Sequence, residues 1–133
     1  MAEDAHQTEH HHGREVIRAL APEARALRHQ IPEVYAGFVQ LADAAMAPGA
    51  LDRRTKELLA LVQAITLRCD GCIATHARAA ATAGATREEV AEAIGTTFLM
   101  NGGPGTVYGP RAYDAFCEFL EAIEAKGAET PGA

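Results

Sequence analysis

The sequence predicts an all-α, single-domain protein, and three features support this prediction. Apolar residues recur at the three- and four-residue spacing of helices through most of the chain. Glycine and proline punctuate this pattern, and no stretch alternates apolar and polar residues for long enough to predict a strand. The length of 133 residues, with 48% hydrophobic and 23% charged residues, is typical of one globular domain.

The expected domain covers residues 14–127. Residues 1–13, which include His10, His11 and His12, have no apolar periodicity and are predicted to form a disordered leader. Residues 128–133 are predicted to be a disordered tail for the same reason. The helices should therefore all lie between these two segments.

Prolines and capping residues predict where the helices begin. Pro22 and Pro32 suit the first turn of a helix, and Asp52 is a good N-cap. Thr86 and Glu89 have the spacing of a capping box for a later helix. Before this box, helices are expected at residues 14–20, 22–29, 32–46, 53–68 and 70–83.

The C-terminal part of the domain should contain two helices. The first follows the capping box and is expected to end at the glycine-rich segment 101–105. The second either begins at Pro110 or is kinked there, has a clear apolar face, and is expected to end near Gly127.

The charge of the chain limits its partners. The formal net charge is −6, and the twelve basic residues are scattered along the sequence. Proteins that bind nucleic acid or an anionic membrane surface present clustered Lys and Arg, so neither partner is expected. No apolar run approaches the roughly 20 residues of a membrane span, and no signal-peptide pattern is present. We therefore expect a cytoplasmic protein.

The motif Cys69-Asp70-Gly71-Cys72 is the main candidate functional site. Two cysteines spaced as CxxC in a reducing compartment indicate either catalytic redox chemistry or a metal site. At the start of a helix, unpaired amide N–H groups and the positive end of the helix dipole favour a thiolate. Two sulfurs at this spacing can also join as a disulfide, so one cysteine can attack a substrate and the other can resolve the product.

Two further residues can exchange protons with this motif. His76 lies four residues after Cys72 and seven after Cys69, on the same helical face as both. If the helices at 53–68 and 70–83 pack antiparallel, Glu57 can face His76. A Glu–His–Cys arrangement would orient the imidazole as a base for the nucleophilic thiol.

Three segments together resemble a known family. They are residues 54–59 (RTKELL), 69–76 (CDGCIATH) and 83–89 (AGATREE). In this pattern Glu57 lies twelve positions before Cys69, and a histidine follows the second cysteine by four positions. The pattern resembles the core of the carboxymuconolactone decarboxylase and alkylhydroperoxidase D superfamily, over about residues 50–105.

The resemblance implies a helical bundle that assembles as homotrimers or homohexamers. It also implies antioxidant activity, in which the cysteine pair reduces peroxides or passes electrons within a peroxiredoxin system. Cys72 would be the attacking, more buried thiol, Cys69 the more exposed resolving thiol, and Glu57 with His76 the proton relay. The best-known members carry a histidine immediately before the second cysteine, where this chain has Gly71.

The leading hypothesis is therefore a thiol-dependent peroxidase or disulfide reductase that needs no bound cofactor. Its substrate would be a hydroperoxide or a disulfide, and its electrons would come from a dithiol or a partner protein. A non-redox lyase of the same family would instead use only Glu57 and His76, on a small organic acid. A zinc-stabilised, non-catalytic oligomer would hold its metal with these two residues and the two cysteines. Cys117 is expected to be a small packing residue.

Overall fold

The computed structural model describes residues 9–129. Six helices account for most of them: α1 (Arg14–Gln30), α2 (Pro32–Met46), α3 (Arg53–Thr66), α4 (Asp70–Thr82), α5 (Arg87–Asn101) and α6 (Gly103–Glu129). No strand occurs in this part of the chain, so the predicted all-α fold is confirmed. Within residues 9–129, no helix is long and apolar enough to cross a membrane.

Helices α3 to α6 enclose the hydrophobic core, and α1 and α2 lie outside it. Neither α1 nor α2 contains a buried residue. Helix α4 packs against both α3 and α6 and contributes mainly alanine, whose small side chain lets the neighbouring helices approach closely. The largest fully buried apolar side chains are Phe116, Leu61, Ile65, Ile73 and Val90.

Two predicted helix starts are confirmed by their capping hydrogen bonds. The Thr55 backbone N–H donates to Asp52 Oδ1 at 2.7 Å, and this bond holds the pKa of Asp52 below its ordinary value. At α5, the Glu89 N–H donates to Thr86 Oγ1 at 3.1 Å, and the Thr86 N–H donates to Glu89 Oε2 at 2.9 Å. This is the reciprocal capping box that the sequence predicts.

The predicted break before Pro22 is wrong, because α1 is one helix that continues through this residue. A proline inside a helix leaves one backbone carbonyl without its N–H donor. Helix α1 lies outside the core and buries no residue, so water can satisfy that carbonyl.

The break predicted at residues 101–105 is present but much shorter than expected. Helix α5 includes Asn101, and α6 begins at Gly103 and continues through Pro110, so that Gly102 alone separates the two helices. A Cβ on Gly105 would lie 2.9 Å from the Thr97 carbonyl oxygen. The absence of a side chain there lets the first turns of α6 pack directly on the α5 backbone, and this packing stabilises a glycine-rich helix start.

The described part of the predicted leader, residues 9–13, lies against α6. His10 Nδ1 is 2.6 Å from Asp114 Oδ1, and His10 Nε2 is 3.0 Å from Glu121 Oε2. The backbone N–H groups of the next two residues donate to Asp114 Oδ2 at 3.2 and 3.4 Å. Burial lowers the pKa of His10, but the hydrogen bonds to the two carboxylates outweigh it and raise the pKa above its ordinary value.

Structure is present on both sides of residues 14–127. Residues 10–12 form contacts with the domain through α6, and α6 continues past Gly127 to Glu129. The rest of the expected leader, residues 1–8, and residues 130–133 of the expected tail lie outside the described residues.

Candidate active site

The two cysteines of the CxxC motif lie at the N-terminus of α4, as predicted. Cys69 is the N-cap residue, and its Sγ accepts a hydrogen bond from the Cys72 backbone N–H at 3.2 Å. The two residues form a disulfide, with their Cα atoms 5.2 Å apart. Both are half-buried, and Cys72 packs against the hydrophobic core. The motif therefore supplies a redox-capable pair at the positive end of a helix dipole.

The contact expected between Glu57 and His76 is present. Glu57 is on α3 and only 1% exposed, and its Oε2 accepts a hydrogen bond from His76 Nδ1–H at 2.8 Å. The other oxygen, Oε1, accepts from Arg53 Nε–H at 2.9 Å. Both carboxylate oxygens are thus hydrogen-bonded, which offsets the cost of burying this polar group.

This arrangement fixes the orientation of the His76 ring. With Nδ1–H donating to Glu57, Nε2 is the nitrogen that can take up or release a proton. The His76 side chain is 32% exposed, and it lies one helical turn, about 6 Å, beyond Cys72 along α4. Among the described residues, no hydrogen bond joins the ring to either sulfur. Any proton exchange between the ring and a reduced cysteine in this geometry would need a substrate oxygen or a water between them.

Two arginines of the site were not identified from the sequence. Arg53 lies four residues before Glu57, a spacing at which helical ion pairs form, so its role was detectable. Arg111 Nη1 lies 3.1 Å from both carboxylate oxygens of Asp70, the second residue of the CxxC motif. Its guanidinium also stacks on the Tyr108 ring, 4.5 Å from the centroid. Arg111 and Asp70 are far apart in sequence, so no local pattern reveals their contact.

Gly71 is covered by the outer helix α1. A Cβ built on Gly71 would lie 2.8 Å from Leu20 Cδ1. The position where the best-known members of the superfamily carry a histidine is therefore partly filled by the end of a leucine side chain. A larger residue here would require the end of the Leu20 side chain to shift, and because Leu20 is half-exposed it has space to do so.

Cys117 is separate from this site. It is a free, half-buried cysteine on α6, near Tyr113 and Arg87. Burial raises the pKa of its thiol, although a hydrogen bond with Tyr113 and the charge of Arg87 oppose this effect. A thiol with a raised pKa is a poor nucleophile, which agrees with the predicted packing role.

The geometry does not favour the zinc hypothesis. In the part of the chain that the structure describes, no three His, Cys, Asp or Glu side chains are grouped so that they could hold a metal ion. The four proposed ligands, Cys69, Cys72, His76 and Glu57, thus do not form a tetrahedral set. Instead, Glu57 uses both carboxylate oxygens for hydrogen bonds to His76 and Arg53.

Several solved structures share this fold. A carboxymuconolactone decarboxylase family protein from Legionella pneumophila, solved in its apo form, matches with a TM-score of 0.76 and 39% identity, over 80% of this chain and 95% of that one. A family member from Thermotoga maritima, for which an antioxidative role has been suggested, matches with a TM-score of 0.59 and 33% identity. That match covers 72% of this chain and 95% of the other.

The sequence also matches proteins whose functions are uncharacterized. One from Cupriavidus necator is 35% identical over 91 residues, which are 68% of this chain and 80% of that protein. One from Haemophilus influenzae is 40% identical over 90 residues, which are again 68% of this chain and 80% of the other. The model of the carboxymuconolactone decarboxylase family matches residues 32–115, which include the CxxC motif, Glu57 and His76. The chain therefore belongs to the carboxymuconolactone decarboxylase family.

Proposed function

We propose that the protein is a thiol-dependent peroxidase or disulfide reductase. One observation carries this proposal: a cysteine pair that forms a disulfide lies on the same helix as a histidine held by a buried glutamate. Decarboxylation would use the Glu57–His76 pair but would give no role to two cysteines at the helix N-terminus. The antioxidative role suggested for the Thermotoga relative supports the same choice.

In the proposed peroxidase cycle, the Cys72 thiol passes its proton to His76 Nε2 through a water, and the resulting thiolate attacks the outer oxygen of a hydroperoxide. The O–O bond breaks, Cys72 becomes a sulfenic acid, and the alkoxide takes a proton from His76 to leave as an alcohol. Cys69 then attacks the Cys72 sulfur, which releases water and forms the disulfide. An external dithiol or a peroxiredoxin-type partner returns two electrons and two protons to restore both thiols.

The contacts of each cysteine support these roles. Cys72 packs against the core and lies one turn from His76, which suits a thiol that must exchange a proton with the substrate. Cys69 is the N-cap of α4 and its sulfur is bonded to that of Cys72, which is the position that a resolving cysteine needs. The buried Glu57 carboxylate stabilises the imidazolium that forms during proton transfer.

The proposal is tested by turnover of an organic hydroperoxide with dithiothreitol as the electron donor. We expect Cys72→Ser to lose at least ~100-fold in rate because it lacks the attacking thiol. With hydroperoxide and no dithiothreitol, Cys69→Ser should form one sulfenic acid per chain, which dimedone traps on Cys72. With dithiothreitol it should cycle only as fast as the dithiol itself reduces that sulfenic acid. Cys117→Ser is the matched control and should retain the wild-type rate.

The outcome also separates the alternatives. Turnover that survives in both Cys69→Ser and Cys72→Ser would refute the redox proposal. Decarboxylation of a small organic acid by those variants, with loss in His76→Asn, would establish the lyase hypothesis instead.

We further propose that the chain forms a homotrimer or homohexamer. Helix α2 contains no buried residue, and Phe38 and Leu41 are 67% and 64% exposed. A helix with this many apolar side chains in water is unstable unless another surface covers them. The family resemblance suggests that a second copy of the chain covers the apolar side chains of α2. We place the protein in the cytoplasm, where reducing conditions would return the disulfide to thiols.

A further inference from the structure

A cleft outside the active site lies where α1, α4 and α6 meet. Its volume is about 300 Å³. Its walls combine two kinds of residue: apolar side chains that include Ile17 and Phe119, and the basic residues Arg14, Arg18, Arg78 and Lys126. None of Cys69, Cys72, Glu57 or His76 lines it. The cleft is therefore separate from the cysteine pair and does not depend on the proposed redox function.

The basic side chains give the cleft an unusual charge for this protein. The chain as a whole carries a formal charge of −6, and its basic residues are scattered in sequence. The fold nevertheless gathers four of them at one cleft, from α1, α4 and α6. Such local positive charge attracts an anion, even to an acidic protein.

Arg18 and Arg78 are the two groups available to such an anion. Arg14 Nε lies 4.0 Å from Glu118 Oε1, so its charge is partly balanced within the protein. Among the described residues, no carboxylate lies within ion-pair distance of Arg18 or Arg78. A guanidinium without a protein partner can bind a carboxylate through two parallel hydrogen bonds.

The neighbouring cleft on the other side of Arg78 is less suited to an anion. It lies between α3 and α4 and has a volume of about 400 Å³. Its second basic residue is Arg53, which already donates to Glu57 at 2.9 Å. The first cleft, with both Arg18 and Arg78 unpaired, therefore has the stronger positive potential.

We propose that the cleft between α1, α4 and α6 binds a small amphipathic anion, an aliphatic carboxylate of about eight carbons. Its head group would contact Arg18 and Arg78, and its chain would lie on Ile17 and Phe119. A water molecule occupies about 30 Å³ of liquid, and a non-hydrogen atom of a ligand needs a similar volume. The cleft of about 300 Å³ therefore has room for roughly ten such atoms. Octanoate has that size.

Binding would also connect the outer helix to the core. Arg18 belongs to α1, whereas Arg78 belongs to α4. Helix α1 packs on α4 but buries no residue of its own, so a ligand that bridges the two helices strengthens their contact. The ligand should therefore raise the melting temperature of the protein, because it binds only the folded chain.

The test is isothermal titration calorimetry of the full chain with octanoate, acetate, inorganic phosphate and 1-octanol. We expect octanoate to bind with a Kd on the order of 0.1–1 mM, as is typical of ligands with about ten atoms. Acetate and phosphate supply only the head group, and 1-octanol only the chain, so each should bind at least ~10-fold more weakly. Equal affinity for octanoate and 1-octanol, or no octanoate binding at all, would overturn the proposal.

Three variants locate the site. Arg18→Gln and Arg78→Gln should each weaken octanoate binding by at least ~10-fold, because each removes a charged hydrogen-bond donor. Arg25→Gln is the matched control, since Arg25 lies on α1 but does not line the cleft. Circular dichroism verifies that all three fold. Wild-type affinity in Arg18→Gln and Arg78→Gln, or an equal loss in Arg25→Gln, would contradict the assignment.

Discussion

Replacement of Glu57 by glutamine removes the buried negative charge beside His76 and keeps a side chain of the same size. The Glu57 side chain is 1% exposed, so it cannot contact a substrate, and its effect on the reaction must pass through His76. The 2.8 Å bond between Glu57 Oε2 and His76 Nδ1 has a carboxylate as its acceptor, and it becomes an ion pair when the ring is protonated. Glu57→Gln leaves a neutral hydrogen bond in its place.

The expected loss follows from the difference between these two bonds. A hydrogen bond to a charged group contributes about 1.5–3 kcal/mol, and a neutral one about 0.5–1.5 kcal/mol. The imidazolium in the transition state therefore loses about 1–2 kcal/mol of stabilisation. Since ~1.4 kcal/mol changes a rate tenfold, kcat should fall roughly 5- to 30-fold. KM should change little because Glu57 does not touch the substrate.

The assay is steady-state hydroperoxide reduction, for Glu57→Gln, for His76→Asn and for the double variant. Glu57→Gln should have less than a twofold effect in the His76→Asn background, because its target is then missing. Glu124→Gln is the control, since Glu124 forms an exposed ion pair with Arg87 at 3.2 Å. Two results would refute the reasoning: a wild-type kcat in folded Glu57→Gln, or an undiminished effect of Glu57→Gln in the double variant.

Three other outcomes follow from the structure. Burial lowers the pKa of His10, but its hydrogen bonds to two carboxylates outweigh burial and raise the pKa above 6.5. The protonated His10 should therefore stabilise the folded chain fully below pH 6.5, and this stabilisation should disappear as the pH rises through the folded-state pKa. In urea unfolding, the free energies of unfolding of wild type and His10→Asn should therefore differ by about 1 kcal/mol or less at pH 6 and by much less at pH 9. A difference that does not change with pH would contradict this explanation. Gly71→His should destabilise the wild type by about 1 kcal/mol or less, because the exposed end of the Leu20 side chain can shift. This loss should vanish in a Leu20→Ala background, whereas additive effects would count against the contact. Phe38→Asp should reduce the particle mass measured by light scattering, and an unchanged mass would exclude α2 from the subunit interface.

The parts of the fold that the sequence predicted depend on hydrogen bonds between near neighbours. Asp52, Thr86 and Cys69 each accept a backbone N–H three residues ahead, and each marks a helix start at the expected position. The contact between Glu57 and His76 was also predictable. It needs only the helical period and an antiparallel turn between adjacent helices.

The wrong helix boundaries arose where the surroundings of a segment, either water or a neighbouring helix, outweigh local preference. A proline normally ends a helix, but α1 lies outside the core and continues through Pro22. Gly103 and Gly105 normally indicate a break, but α6 needs a residue without a side chain where it meets Thr97 of α5. Residue preferences alone predict neither boundary, because each depends on whether the segment is in contact with water or with another helix.

The amino-acid sequence by itself determined the helical class, the family and the residues of the candidate site, which has a cysteine pair at a helix start and a histidine one turn later. The tertiary structure alone decided which distant residues meet. It places Leu20 over Gly71, sets Arg111 beside Asp70, and brings basic residues that are scattered in sequence into one cleft. The physical reason is that caps and helical periodicity depend on atoms a few residues apart, whereas these contacts depend on how whole helix faces pack against one another.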